Sequence, residues 1–315
     1  MDGVNPERVH FLEISAQDAG QRVDNFIRAR YPGLPKSRIY QMLRKGEARR
    51  NGKRLQASDR LQAGDVLRLP PVVAALRVVA AVPGFWCERI AASVLFEDDD
   101  FLVLNKPAGM AVHGGSHHAY GVIDAVKQLW GERFAELAHR LDSETSGCLV
   151  LGKHRAALAA FREAEGLQKR YWCLVDGAWQ ESLTRMELAL AKRGREGEER
   201  VVVDREAGKR AVTDFRVLRR FAEPSCTLME ALLHTGRTHQ IRVSAQYAGH
   251  GIGGDEKYGD FAFNRLLKAR GFRGMFLHAR SIRVPTAGGM ILVEAPLPAA
   301  AARLLQLLSG EKDDA

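Results

Sequence analysis

His139-Arg140-Leu141-Asp142-Ser143-Glu144-Thr145-Ser146-Gly147, followed at once by the apolar run at 148–151, is a polar, turn-prone segment that feeds straight into a short buried strand. Such a junction holds a side chain at the rim of a sheet, open to a ligand while its backbone is fixed by the core behind it. Asp142 is the residue so placed. Arg140 on one side and the hydroxyls of Thr145 and Ser146 on the other could hold its carboxylate, and an oriented carboxylate serves as nucleophile or base. The rival reading is a turn cap, an ordinary task for Asp beside Ser, Thr and Gly.

On the N-terminal side of this stretch, 94–96, the acidic turn 97–100 and 101–104 read as strand, turn and strand, closed by Asn105-Lys106-Pro107-Ala108-Gly109. The Gly-rich loop His113-Gly114-Gly115-Ser116 and a helix over 122–130 follow. On the C-terminal side, 156–164 reads as a helix and 170–175 as a strand containing Tyr171, with further strands over 200–203, 211–218 and 226–233 and an exposed charged loop over 192–199. His234-Thr235-Gly236-Arg237-Thr238-His239-Gln240-Ile241-Arg242 is a second dense polar cluster. Ile241, Ala245 and Ala248 recur at helical spacing up to Gly249, so Arg242 falls in the first turn of a helix, where it can pair with a carboxylate from another segment. A strand over 290–294, a closing helix over 299–308 and a polar tail over 309–315 complete the pattern. It predicts an α+β fold with a mixed, mostly antiparallel sheet over 93–308.

The 315 residues suffice for roughly two domains, and 46% hydrophobic with 27% charged residues is the composition of an ordinary globular protein. Thirteen Lys and Arg against four Asp and Glu in 21–71 account for the whole formal charge of +9. A positive field so localised is what phosphate contacts require, although a solubilising surface would look the same by charge alone. Val23, Phe26 and Ile27 fall at helical spacing before Pro32-Gly33. A second short helix starts near Lys36-Ser37, carries Ile39, Tyr40, Met42 and Leu43, exposes Lys36, Arg38, Arg44 and Lys45, and stops at Gly46. Asn51-Gly52 is a hairpin turn signal, and 66–69 a closing strand. The predicted organisation is an N-terminal segment (1–20), a small basic α/β domain (21–71), a linker (72–92), the large domain (93–308) and the tail.

Cys87, Cys148, Cys173 and Cys226 are widely spaced with no Cys-x-x-Cys pair, so neither a zinc ribbon nor a disulfide framework is expected. No signal segment and no membrane-length apolar run are present, and a cytoplasmic location follows as the default. Gly249-His250-Gly251-Ile252-Gly253-Gly254 matches a dinucleotide-binding string but follows a helix rather than a strand. His113, His117 and His118 lack a second ligand cluster for a metal.

Two short basic helices and a hairpin over about 21–70 resemble the S-four-type RNA-binding module. Asn105 to Gly109, His139-Arg140-Leu141-Asp142 with Thr145-Ser146-Gly147, Lys169-Arg170-Tyr171, and Gly236 to Arg242 together resemble the bacterial pseudouridine synthases that modify large-subunit ribosomal RNA and tRNA. The resemblance implies that Asp142 is the nucleophile that helps cleave the uridine N-glycosidic bond, that Tyr171 stacks on the target base, that Arg242 pairs with the catalytic carboxylate, and that Arg140 occupies the space left by the extruded base. It implies large-subunit ribosomal RNA as partner, contacted by Arg140, Lys36, Arg38, Arg44, Lys45, Lys106 and Arg237, with no cofactor or metal and a monomeric enzyme. The alternatives are a related synthase acting on tRNA and a non-catalytic RNA-binding or ribosome-assembly protein.

Overall fold

The computed structural model of the protein describes residues 9–15, 18–31, 34–71, 81–114, 118–131, 136–194 and 200–310. The Pro32-Gly33 stop, the first part of the expected linker at 72–80, His117 with the loop tip at 115–116, the charged loop at 195–199 and the tail beyond 310 lie outside them. The chain divides into two compact units, Met1–Ala80 and Ala81–Ala315.

The first unit holds β1 (His10–Glu13), α1 (Val23–Arg30), α2 (Lys36–Lys45), β2 (Arg49–Arg50), β3 (Lys53–Arg54) and β4 (Val66–Leu69), with its sheet ordered β1-β4-β2-β3. Val23, Phe26 and Ile27 of α1 and Ile39, Met42 and Leu43 of α2 are buried against Leu67 and Leu69 of β4, as their helical and alternating spacings require. One expectation is corrected at its edge. Residues 10–13, read as part of a separate N-terminal segment, pair along the whole of β4 and belong to this sheet.

The second unit opens with α3 (Gly84–Ala91), a helix inside the stretch expected as linker, whose Cys87 and Ile90 are buried. Then follow β5 (Val94–Glu97), β6 (Phe101–Lys106), α4 (Val122–Trp130), β7 (Glu136–Leu137), β8 (Ser146–Gly152), α5 (Arg155–Glu163), β9 (Lys169–Asp176), β10 (Arg185–Arg193), β11 (Arg200–Val203), β12 (Lys209–Phe221), β13 (Cys226–Leu233), α6 (Gln240–Tyr247), α7 (Phe261–Ala269), β14 (Leu277–Thr286), β15 (Gly289–Glu294) and α8 (Ala299–Ser309). The strands form one sheet of eleven, ordered β11-β10-β12-β13-β9-β14-β8-β6-β5, with β15 beside β14 and β7 beside β8. Every strand pair is antiparallel except β14 with β8, so the sheet is mixed and mostly antiparallel.

Both faces of the central strands are covered. On β9, Tyr171, Cys173 and Val175 join the core formed with α3 to α6, while Leu174 joins α7 and α8 in a second core on the opposite face. β8 is buried along its whole length, which explains the unbroken apolar run at 148–151. Gly147, at its start, has φ +105, and a Cβ there would run into the carbonyl of Ala279 on β14. Only glycine lets these two strands meet beside the 139–146 loop. All four cysteines are buried and free.

Candidate active site

The loop between β7 and β8 carries Asp142 into a cavity of about 840 Å³, whose lining also includes Arg140, Lys169, Tyr171, Arg237, His239 and Arg242. The loop is anchored from behind. The Nε2 of His139 accepts from the N–H of Val150 on β8 at 3.1 Å, and the ring lies nearly parallel to Phe161 at 6.0 Å. Burial, with the charge of Lys169 adding to it, pulls the His139 pKa down to about 3, so the ring stays neutral and keeps this acceptor.

Lys106 anchors the same loop from the other side. Its Nζ donates to the carbonyls of Pro107, Met110 and Ser143 at 2.8, 2.8 and 2.9 Å, and the side chain is fully buried. The expectation that Lys106 contacts RNA is therefore corrected: all three donor positions are committed inside the protein. Burial lowers its pKa to about 7, against the pull of the Glu144 and Asp142 charges. Thr145 and Ser146 do not support the Asp142 carboxylate either. Both are buried, and the Ser146 hydroxyl lies 2.9 Å from Nδ1 of His278 on β14.

The donor that does reach Asp142 comes from a hundred residues further along the chain. Nη1 of Arg242, in the first turn of α6, donates to Asp142 Oδ2 at 3.0 Å, while its Nε and Nη2 form a fork on Asp255 at 2.7 and 2.9 Å. Asp255 Oδ1 also accepts from the backbone N–H groups of Lys257 and Tyr258. Burial opposes both charges, but each partner outweighs it. Arg242 is held above its ordinary pKa by Asp255 and Asp142, and Asp255 below its own by Arg242 and the two backbone donors. The guanidinium lies 4.9 Å from the Tyr258 ring centroid, which completes its cage.

The turn before α6 is tied to β12 through Gln240. Its Oε1 accepts from the Thr235 hydroxyl at 2.8 Å and the Arg237 N–H at 3.0 Å, and its Nε2 donates to Val212 O and Thr213 Oγ1, both at 2.9 Å. The string 249–254 leads into Asp255. Gly254 has φ +78, and a Cβ there would overlap the carbonyl of Gly274, so the string is a tight packing element that delivers Asp255 rather than a nucleotide cradle.

Tyr171 is buried on β9 between Ala231 and Ala279 of its neighbours and borders the cavity. Burial, reinforced by the charges of Asp142 and Cys148, raises the pKa of its phenol. Arg140 and Arg237 line the cavity and are exposed, Arg237 donating through Nε to the Arg210 carbonyl at 3.0 Å. In the other unit Lys36, Arg44 and Lys45 are exposed on α2, whereas the Arg38 side chain is half-buried and paired with Glu47 at 2.8 Å. Among the described residues no group of His, Cys, Asp and Glu is arranged to hold a metal ion, and no helix is long and apolar enough to cross a membrane.

Residues 100–247 match the family model for RNA pseudouridylate synthase. The chain is 44% identical to ribosomal large subunit pseudouridine synthase C of Salmonella typhimurium over 96% of its own length and 98% of that protein's. The enzyme of the same name from Escherichia coli K12 is also 44% identical, over 95% and 97% of the two chains. This chain belongs to the pseudouridine synthase family. As a pseudouridine synthase it is an isomerase that converts uridine in RNA to pseudouridine. Among solved structures, human RNA pseudouridylate synthase domain containing 4 matches 71% of this synthase and 96% of its own chain, with a TM-score of 0.57 and 26% identity. Human RNA pseudouridylate synthase domain containing 1 matches 70% and 94%, with a TM-score of 0.54 and 28% identity.

Asp255 and Tyr258, two residues that build the site around Arg242, do not stand out in the sequence, and His239 does so only as one member of the polar cluster at 234–242. The signal available is the need of Arg242 for further acceptors: a buried guanidinium has five donors, and one carboxylate satisfies two.

Proposed function

We propose that the protein isomerises specific uridines of large-subunit ribosomal RNA, with Asp142 as nucleophile. The observation that carries this reading is the arrangement of one carboxylate. Oδ2 of Asp142 is engaged by a guanidinium that is itself locked by Asp255, while the described residues place no donor on Oδ1 and the cavity opens beside it. The volume of about 840 Å³ lies within the roughly 300–1,000 Å³ of small-molecule sites and accommodates a nucleoside but not a duplex. The target base must therefore leave its stack, at a cost of a few kcal/mol. Tyr171 offers a flat face for the extruded base, and Arg140 is the residue to fill the space it vacates.

In the reaction the N1–C1′ bond breaks, the base turns, and a C5–C1′ bond forms. The C5 proton leaves and N1 gains one, so the product is an isomer and no oxidant or group donor is consumed. Asp142 supplies the nucleophile for the first step. Tyr171, its phenol kept protonated by burial, acts as the stacking surface. Ribosomal rather than transfer RNA is the substrate we favour because the relatives that match the whole chain are named for the ribosomal large subunit. The exposed Lys36, Arg44 and Lys45 of the first unit, on a scaffold like the S-four-type module, supply phosphate contacts that position the RNA without reading its sequence.

Protein-free large-subunit ribosomal RNA and total tRNA, each incubated with wild type and with Asp142→Asn, test this. We expect pseudouridine in the ribosomal RNA with wild type, a loss on the order of 10⁶-fold with the variant, the scale of removing a nucleophile, and unchanged RNA affinity. Turnover by Asp142→Asn within tenfold of wild type would overturn the assignment of the nucleophile. Modification confined to tRNA would overturn the substrate.

A further inference from the structure

His239 stands out on its backbone. It is the residue before α6, with φ 53 and ψ 22, in the left-handed region that few residues other than glycine occupy, histidine more readily than most. Such a conformation persists where the surroundings require the side chain to point one way, and it is a pointer to function. Here it aims the ring into the cavity, with Nε2 lying 3.7 Å from Asp142 Oδ2.

The other ring nitrogen is held by Tyr258. Nδ1 of His239 and the Tyr258 hydroxyl are 2.9 Å apart, and the same hydroxyl is 2.9 Å from the backbone N of Val201 on β11. The N–H of Val201 donates to that hydroxyl, and on the other side of the ring Nε2 faces the Asp142 carboxylate, which repels a lone pair and favours an N–H, so the Tyr258 hydroxyl is the donor to Nδ1. Burial keeps the Tyr258 phenol above its usual pKa, so that proton is retained. With Nδ1 an acceptor, the neutral ring carries its hydrogen on Nε2, facing Asp142. Burial, outweighing the pull of the Asp142 charge, holds the imidazole below its ordinary pKa and so neutral at ordinary pH.

We propose that His239 is a positioning residue for the nucleophile: its Nε2–H, set by the Tyr258 hydroxyl, is a second donor that joins Arg242 Nη1 on Oδ2 of Asp142 and so leaves Oδ1 as the attacking oxygen. The distance of 3.7 Å in the ligand-free enzyme is longer than a hydrogen bond. It closes to bonding distance as substrate fills the cavity, in the way catalytic bonds tighten in the Michaelis complex. Tyr258 thereby has two roles on two of its surfaces. Its ring cages the Arg242 guanidinium, and its hydroxyl fixes the tautomer of His239. The chain from Val201 through Tyr258 and His239 to Asp142 also ties the position of β11 to the orientation of the nucleophile.

This inference rests on Asp142 being the nucleophile, and the experiment separates the two. His239→Asn keeps a residue that tolerates the left-handed backbone and removes the imidazole. Tyr258→Phe keeps the ring under Arg242 and removes only the hydroxyl. Single-turnover rates and affinities on large-subunit ribosomal RNA are measured for wild type, both single variants, the double variant and Asp142→Asn, with thermal melting confirming that each is folded. We expect each single variant to lose about tenfold to a hundredfold in rate, as outer positioning groups do, with RNA affinity unchanged. The double variant should be no slower than the slower single, because both changes remove the same hydrogen bond. A folded His239→Asn with wild-type rate, beside an inactive Asp142→Asn, would overturn this inference and leave the nucleophile standing. Rate losses that multiply in the double variant would overturn the link through Tyr258. An active Asp142→Asn would instead remove the reading on which both depend.

Discussion

In the Met1–Ala80 unit Lys36, Arg44 and Lys45 stand exposed on one short helix, whereas in the larger unit Lys106, Arg242 and Asp255 are buried with their donors and acceptors engaged inside the protein. That first unit carries +7 of the net +9, and such an arrangement acts through the field it projects, which salt screens within about 10 Å. The second projects little field and fixes where atoms are. An exposed cation is therefore removable at small cost to the fold. A buried one is not, because its loss strands a partner away from water.

The contrast is broken most severely at Arg242. Arg242→Ala leaves the Asp255 carboxylate, which is 1% exposed, without its fork, and should cost about 3–5 kcal/mol of stability, measured by urea unfolding, together with all detectable turnover. Arg242→Lys, retaining charge without the fork, should fall between the two. A stable Arg242→Ala, within about 1 kcal/mol of wild type, would mean that the buried pair does not organise the site.

A smaller effect should appear in acid. Burial holds the His278 pKa down at about 4 in the folded protein, against 6.5 when exposed, so between these values the unfolded chain binds a proton that the folded one refuses. Stability is full above pH 6.5 and declines as pH falls towards 4, by about 3 kcal/mol at about 1.36 kcal/mol per unit. His278→Asn should flatten that part of the stability–pH curve. An unchanged curve would place the acid sensitivity elsewhere, His139 being the next group to examine.

The smallest effect on the fold should come from Lys36→Gln, Arg44→Gln and Lys45→Gln combined. Unfolding should shift by no more than about 0.5 kcal/mol, while the slope of log affinity against log salt falls by about 0.7–0.9 for each phosphate that is no longer neutralised. The single-turnover rate at saturating enzyme should be unchanged. A reduced rate with an unchanged slope would reverse the roles of the two units.

The fold is readable where local pattern and burial agree. β8 is buried on both faces and reads as one apolar run, and α4 matches its predicted bounds because its apolar spacing is regular. β14 is not readable. Leu277-His278-Ala279-Arg280-Ser281-Ile282-Arg283-Val284-Pro285 mixes polar and apolar residues, and its buried His278 and Ser281 look like surface residues until their partners are known. β10 and α7 escape the sequence pattern as well. Within the site, Asp142, Tyr171 and Arg242 stand in recognisable motifs, but motifs do not reveal depth. Lys106 reads as an RNA contact because a lysine beside a turn gives no sign that three carbonyls enclose it. Asp255 is inconspicuous because its adjacency to Arg242 is made by tertiary packing, thirteen residues away along the chain.

β14 also governs the order in which the protein can be assembled. It enters the sheet between β9 and β8, next to Tyr171 on one side and Gly147 on the other, although it is synthesised long after both. Until residues 277–286 have left the ribosome, β8 and β9 are facing edges of two separate half-sheets, each with unpaired backbone groups. A nascent chain that already contains Asp142, Tyr171, Arg242 and Asp255 thus lacks the strand that holds its halves together. Enzyme competence arrives with the last part of the chain, and a chain cut short before β14 exposes two adhesive edges instead of an active site.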